Sequence, residues 1–296
     1  GRQDLAATRS SGLEVFLGRP PDDASPAAKL TMACDSVWTA TFLSTTGAAT
    51  ATGSPTPLGD LDGDGCDELA VRASPFLQTS FVIAFGFDPT GVHCAGHTQP
   101  AWLRLADREA NLGFLGLGVA FARAGRFLSD GRDLVAVTAT SFPVGGVAQD
   151  AILLYDAAAI AAQRPASGER LLAAYGDGVE PTPLTFPTRI VGLGRALAGN
   201  LDLSGDGKPE LIAGAPGASF TADGAGAVVV LLGGGSASAP VEFLRIAGDP
   251  RERSNFGSAL GLIRPGPTAP ELLVGAFTSF RTGTQNGTAY ALPLGF

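Results

Sequence analysis

The chain has 296 residues, 45% of them apolar, with 41 Gly and 21 Pro. It is long enough for a sizeable core and too turn-rich for long helices. The net charge of −8 argues against nucleic acid or an anionic membrane surface as partner, since both require basic patches. No apolar run approaches the ~20 residues needed to cross a bilayer, so membrane insertion is not expected.

An acidic residue stands before each of five short apolar runs. In chain order these begin at Glu14, Glu68, Asp133, Glu210 and Glu271, at separations of 54, 65, 77 and 61 residues. Each separation is the size of a four-stranded propeller blade. Upstream of the acidic residue an apolar–Gly pair recurs as Leu117-Gly118, Leu193-Gly194 and Phe256-Gly257, with Gly53 alone in the second unit. Downstream, third strands are predicted over Lys29–Cys34, Ser80–Phe87, Ala151–Tyr155, Gly226–Leu232 and Gly287–Leu292. Fourth strands are predicted over Val37–Leu43, Ala101–Ala106, Arg170–Ala174 and Val241–Ile246. The units run over about 1–45, 46–108, 109–182, 183–248 and 249–296, with no domain boundary between them. The Ala-rich insertion 156–168 reads as a short exposed helix decorating the third unit.

Two loops carry the chemistry. In Asp60-Leu-Asp-Gly-Asp-Gly-Cys-Asp-Glu68, Asp60, Asp62, Asp64 and Glu68 place oxygens at positions 1, 3, 5 and 9. In Asp202-Leu-Ser-Gly-Asp-Gly-Lys-Pro-Glu210, Asp202, Ser204, Asp206 and Glu210 do the same, with one charge fewer. A hard cation such as Ca²⁺ takes six to eight oxygens, and the backbone carbonyls of Cys66 and Lys208 at position 7 complete each set. Glycine at position 6 permits the sharp turn. Strand residues follow position 9 in both loops, which sets them apart from an EF-hand. The first loop, with more charge, is expected to hold calcium more tightly than the second.

The period, the Phe-Gly pair, the Asp-x-Asp-x-Asp-Gly-x-x-Glu loop and Gly214-Ala215-Pro216 together resemble the FG-GAP repeat of integrin α-subunit propellers. The resemblance implies an all-β propeller, here of about five blades with a last blade that lacks its fourth strand. It also implies calcium turns between the first two strands of a blade, with a ligand face opposite them. The third unit keeps only Asp130-Gly-Arg-Asp133, the fifth has Arg264 to Pro270 without a carboxylate, and the first has Ser10-Ser-Gly12. These three are expected to hold no calcium.

Blade geometry brings Cys34, Cys66 and Cys94 to one face. A Cys66–Cys94 disulfide with Cys34 free is expected, although spacing alone leaves the connectivity open. The rival is a metal site built on His93, Cys94 and His97, which lacks an assured fourth ligand. With two histidines in one hairpin and no nucleophile motif, no catalytic constellation is evident. The expected function is that of a calcium-binding adhesion or protein-interaction module with a protein or glycan ligand at the cell surface. An extracellular, cell-surface or periplasmic setting, where calcium is plentiful and disulfides persist, suits it. A carbohydrate-binding lectin and a carbohydrate-active propeller enzyme are the alternatives. Of the aromatics a lectin would need, only Trp38 and Trp102 fall at matching places.

Overall fold

The recurring glycine is where one sheet presses against the next. A Cβ on Gly118 would lie 2.9 Å from Phe81 Cβ. On Gly194 it would lie 2.8 Å from Thr138 Oγ1, and on Gly257 2.2 Å from the Ala227 carbonyl oxygen. In each case the glycine of one unit meets the middle strands of the unit before it, and any side chain would hold the two apart. The same logic explains Gly214, whose Cβ would lie 2.0 Å from the Gly257 carbonyl oxygen. The Phe-Gly of one unit and the Gly-Ala of the preceding unit are thus two halves of a single close contact.

The computed structural model describes residues 5–9, 12–16, 36–41, 43–44, 47–48 and those from 50 onward. Within the latter it excepts 75–78, 88–93, 95, 108–115, 145, 187, 252, 264–270, 279–286 and 295–296. The first sheet is β1 (Leu5–Arg9), β2 (Gly12–Phe16) and β3 (Ser36–Thr41), followed by a small hairpin of β4 (Leu43–Ser44) and β5 (Gly47–Ala48). The second is built on β6 (Thr50–Gly59), β7 (Glu68–Ser74), β8 (Ser80–Phe85) and β9 (Ala101–Ala106). The third contains β10 (Phe121–Gly125), β11 (Leu134–Val144) and β12 (Val147–Asp156), after which the chain enters α1 (Ala157–Ala161), β13 (Gly168–Ala173) and β14 (Thr182–Pro183). The fourth is β15 (Ala196–Leu201), β16 (Glu210–Ala215), β17 (Ala227–Leu231) and β18 (Glu242–Ala247). The fifth is β19 (Phe256–Ile263), β20 (Glu271–Ala276) and β21 (Thr288–Pro293).

The architecture is all-β, and consecutive strands within each sheet pair antiparallel. First strands neighbour one another in series: β1 touches β6, β6 touches β10, β10 touches β15 and β15 touches β19. Apolar side chains fill the layers between sheets. Phe81, Ile83 and Leu103 of the second sheet pack with Val135, Leu153 and Tyr155 of the third. Leu134, Ile152 and Leu154 pack with Leu211, Val229 and Leu231 of the fourth. Ile212, Val228 and Val230 meet Leu272 and Val274 of the fifth. Near-continuous apolar runs such as Val228 to Leu231, buried on both faces, are what a sheet sandwiched between two others requires. Each fully buried Leu, Ile or Phe here contributes about 1.5–3 kcal/mol of transfer free energy.

Two strand assignments differ from expectation. The strand predicted over Arg170–Ala174 as fourth in the third unit instead runs parallel to β9, as a fifth strand of the second sheet. The reason is electrostatic. Arg104 on β9 is only 2% exposed, and Glu169 at the start of β13 reaches it at 3.6 Å while accepting a 3.1 Å hydrogen bond from Trp102 Nε1. A buried guanidinium without a carboxylate would be strongly unfavourable. The vacated fourth place in the third sheet goes to the two-residue β14. In the first sheet β3 pairs directly with β2, so the strand predicted as fourth there stands third. The run predicted before it, Lys29–Cys34, lies outside the described residues.

Candidate metal centres

Both acidic loops bridge the first and second strands of a sheet, between β6 and β7 and between β15 and β16. They are folded by the same internal hydrogen bonds. Asp60 Oδ1 accepts from Gly63 N at 2.7 Å and its Oδ2 from Gly65 N at 3.0 Å. Asp202 Oδ1 and Oδ2 accept from Gly205 N at 2.7 Å and Gly207 N at 3.0 Å. Asp64 Oδ1 accepts from Cys66 N at 2.7 Å, and Asp206 Oδ1 from Lys208 N at 2.9 Å. The position-6 glycines have φ of 91° at Gly65 and 81° at Gly207, where a Cβ is disfavoured.

The glutamate at position 9 closes each loop from inside the sheet. Glu68 and Glu210 are fully buried. Glu68 Oε2 accepts from Leu61 N at 2.6 Å, and Glu210 Oε2 accepts from Leu203 N. Ser204 Oγ donates to Glu210 Oε1 at 3.0 Å, giving the serine at position 3 a role in holding the carboxylate. Burial pushes the Glu68 carboxyl up to about 8. Backbone donors at Leu61 and Gly86 work against that rise, while Asp62 and Asp64 add to it.

Carboxylate oxygens of Asp60, Asp62 and Glu68 lie within 4.8 Å of one another, as do those of Asp202, Asp206 and Glu210. An all-oxygen, anionic donor set of this kind fits a hard divalent cation and suits a soft one poorly. The carbonyls of Cys66 and Lys208 stand at the seventh position of each loop.

The first loop differs from the second in one respect that its own sequence does not reveal. Arg164 reaches into it: Nη1 lies 2.5 Å from Asp62 Oδ2 and 2.9 Å from Asp64 Oδ2, and Nη2 donates to the Gly86 carbonyl at 2.7 Å. The guanidinium also sits over the Phe85 ring, 5.1 Å from its centroid. Arg164 belongs to the insertion expected to be exposed decoration. Instead Ala157 and Ile160 bury one side of α1 in the core, Asp156 caps it by accepting from Ala158 N at 2.9 Å, and the next turn delivers the arginine. A single Arg in an Ala-rich segment gave no signal of this contact.

The third unit's shortened loop carries arginine partners. Asp133 pairs with Arg123, whose Nη1 also donates to the Asp60 carbonyl at 3.1 Å. Asp130 pairs with Arg132 at 2.7 Å. The corresponding loops of the first and fifth units lie outside the described residues.

Cys66 and Cys94 form a disulfide, tying position 7 of the first loop to the segment after β8. That removes Cys94 as a thiolate ligand and with it the basis for a His93–Cys94–His97 centre. His93 and Cys34 lie outside the described residues. A ring nitrogen of His97 does come within 4.8 Å of carboxylate oxygens of Asp62 and Asp64.

The described fold is all-β, with antiparallel sheets in series and acidic turns between first and second strands, an arrangement that fits a β-propeller. The chain carries an FG-GAP repeat: the family model for that repeat matches residues 194–231, a span that contains the whole second loop. No curated protein matches the chain in sequence. Among the described residues, no helix is long and apolar enough to cross a membrane.

Proposed function

We propose that residues 1–296 form one β-propeller of five FG-GAP-type blades that binds calcium in two turns and serves as a protein-interaction or adhesion module. The observation that carries this reading is the identical hydrogen-bond scaffold of the two acidic loops, one of them inside the stretch matched by the FG-GAP model. Asp60, Asp62, Asp64, Glu68 and the Cys66 carbonyl would hold one ion. Asp202, Ser204, Asp206, Glu210 and the Lys208 carbonyl would hold the other. The cation would supply charge neutralisation and rigidity rather than chemistry. The reading is a binding role rather than catalysis, because the sequence holds only two histidines, both in one hairpin, and no nucleophile motif. The disulfide and the demand for abundant calcium favour an extracellular, cell-surface or periplasmic setting.

Arg164 removes the charge argument for the order of affinity. Its guanidinium already neutralises Asp62 and Asp64, so calcium at the first loop must displace it, whereas the second loop has no such competitor among its described contacts. The second loop is therefore the tighter one. Isothermal titration with Ca²⁺ on wild type and on Asp206→Ala tests this: the tighter event should disappear in the variant. The interaction role is tested with calcium-loaded protein on a panel of extracellular proteins and on a glycan array. Protein binding lost in EGTA is expected. Binding to glycans alone would favour a lectin, and glycan turnover an enzyme.

A further inference from the structure

Away from both loops, a cavity of about 520 Å³ opens where the first strands of four sheets come together. Its walls present polar and apolar surface in nearly equal parts, the apolar part including Pro55, Pro57, Val119, Phe121, Leu197 and Leu260. Two arginines, Arg72 and Arg195, also line it, and no Asp or Glu is among its described lining residues. Arg72 Nε is buried and has no hydrogen-bond partner, and no carboxylate pairs with either guanidinium among the described residues. Arg72 is half-buried and Arg195 exposed, whereas the other buried or half-buried arginines named above each have a carboxylate within reach. Arg104 has Glu169, Arg123 has Asp133, and Arg164 has Asp62 and Asp64.

Two like charges facing one cavity repel, and leaving a buried donor such as Arg72 Nε unsatisfied is unfavourable by the full desolvation of that group. Burial lowers Arg72 below the usual arginine range, and the neighbouring Arg195 charge lowers it further. An anionic ligand between the two guanidinia would relieve the repulsion and satisfy the buried donor. The guanidinium fork matches a carboxylate through two parallel N–H···O bonds. A cavity of this size accommodates a small organic molecule.

We propose that the cavity between the first strands is a binding site for a small organic dianion, with Arg72 and Arg195 each holding one acidic group. Thr56, also in the lining, offers a hydroxyl to the same ligand. The site is distinct from the calcium turns and does not depend on them.

The test uses succinate as a dicarboxylate probe and sulfate as a purely inorganic dianion. Both are titrated calorimetrically at constant ionic strength into the calcium-loaded protein. Saturable one-to-one succinate binding is expected, weakened at least tenfold in Arg72→Gln and in Arg195→Gln and unchanged in Arg132→Gln, whose partner is Asp130. Thermal melting provides a second readout that does not depend on the variants. Succinate should raise the wild-type melting temperature above that in sodium chloride of equal ionic strength. In the absence of probe, Arg195→Gln should melt no lower than wild type, because it relieves repulsion. Succinate binding retained in the double variant, sulfate binding as tight as succinate, or no succinate-dependent rise in melting temperature would each overturn the proposal. Chelating calcium leaves the succinate response in place if the two readings are independent, so failure of one does not imply failure of the other.

Discussion

Arg164 Nη1 lies 2.9 Å from Asp64 Oδ2, with the two side chains only 6% and 4% exposed. A residue one hundred positions away in the chain thus supplies positive charge to the most acidic turn of the molecule. Breaking a buried ion pair by deleting one partner typically destabilises by about 3–5 kcal/mol, because the remaining charge is left uncompensated. Arg164→Gln is therefore expected to lower the melting temperature sharply in EGTA. Excess calcium should restore most of the loss, since the ion can replace the guanidinium. Differential scanning calorimetry with and without calcium checks this. An equal loss in both conditions would mean that Arg164 acts through packing on Phe85 alone.

Calcium removal provides the complementary measurement. An ion that binds only the folded state stabilises by about 2.7 kcal/mol at a hundredfold excess over Kd. For a chain of this length that corresponds to roughly 5–10 °C of melting temperature per site. Asp206→Ala should remove most of the second loop's share. Asp130→Ala, whose residue pairs with Arg132 on the exposed surface, should leave the calcium-dependent shift unchanged. Identical melting of chelated and calcium-loaded wild type would show that both loops are ordinary turns.

The repeat was legible in the sequence because its marks are local. An acidic residue, a strand and an apolar–Gly pair fall within short windows, and the glycine is required wherever a sheet presses on its neighbour. The Cys66–Cys94 pairing was also within reach, since both residues fall at the same end of one repeat. What could not be read is what depends on partners far apart in sequence. The strand at Gly168–Ala173 carries ordinary β-forming residues, and nothing in it says that its neighbour is β9 rather than β12. The contact that accompanies that choice, Glu169 against the buried Arg104 and Trp102, joins residues more than sixty positions apart. The Arg72 and Arg195 pair is hidden for the same reason: one sits on β7, the other beside β15, and only the assembly of sheets around one cavity brings them together.

The glycine contacts can be separated from glycine's backbone freedom by comparing three positions. Gly131 has φ of 74° and open space around it, so Gly131→Ala measures the conformational term alone, about 1–2 kcal/mol. Gly194 has φ of 78° but faces Thr138 Oγ1 at 2.8 Å, and Gly257 has φ of 90° and faces a backbone oxygen at 2.2 Å. At Gly194 the nearest atoms belong to side chains, those of Thr138 and Ile152, whereas the Ala227 carbonyl is backbone of β17, held between β16 and β18. Denaturant unfolding is expected to rank the losses Gly257→Ala, then Gly194→Ala, then Gly131→Ala. Equal losses at all three would mean that the glycines are needed for φ only and that the sheets do not press on one another there.

The disulfide is the last element open to a direct measurement, and it bears on the first loop. It closes a separation of 28 residues, from Cys66 at position 7 of the loop to Cys94. By the chain-entropy argument a loop of that length is worth about 3–4 kcal/mol of folding stability. Peptide mapping under non-reducing conditions should recover the Cys66–Cys94 pair, and a Cys34–Cys94 pair would contradict the fold described here. Cys94→Ala should lower the melting temperature in calcium and in EGTA alike. It should also weaken the loss of stability seen on chelation. The backbone at Cys66, whose carbonyl stands at position 7, would be freed from the segment after β8, so the first loop would bind calcium less well. The second loop, with Lys208 at the same position and no disulfide, should keep its calcium response unchanged. Titration of the Cys94→Ala protein should accordingly show one event altered and one preserved. Loss of both events would indicate that the disulfide holds the whole fold rather than one turn.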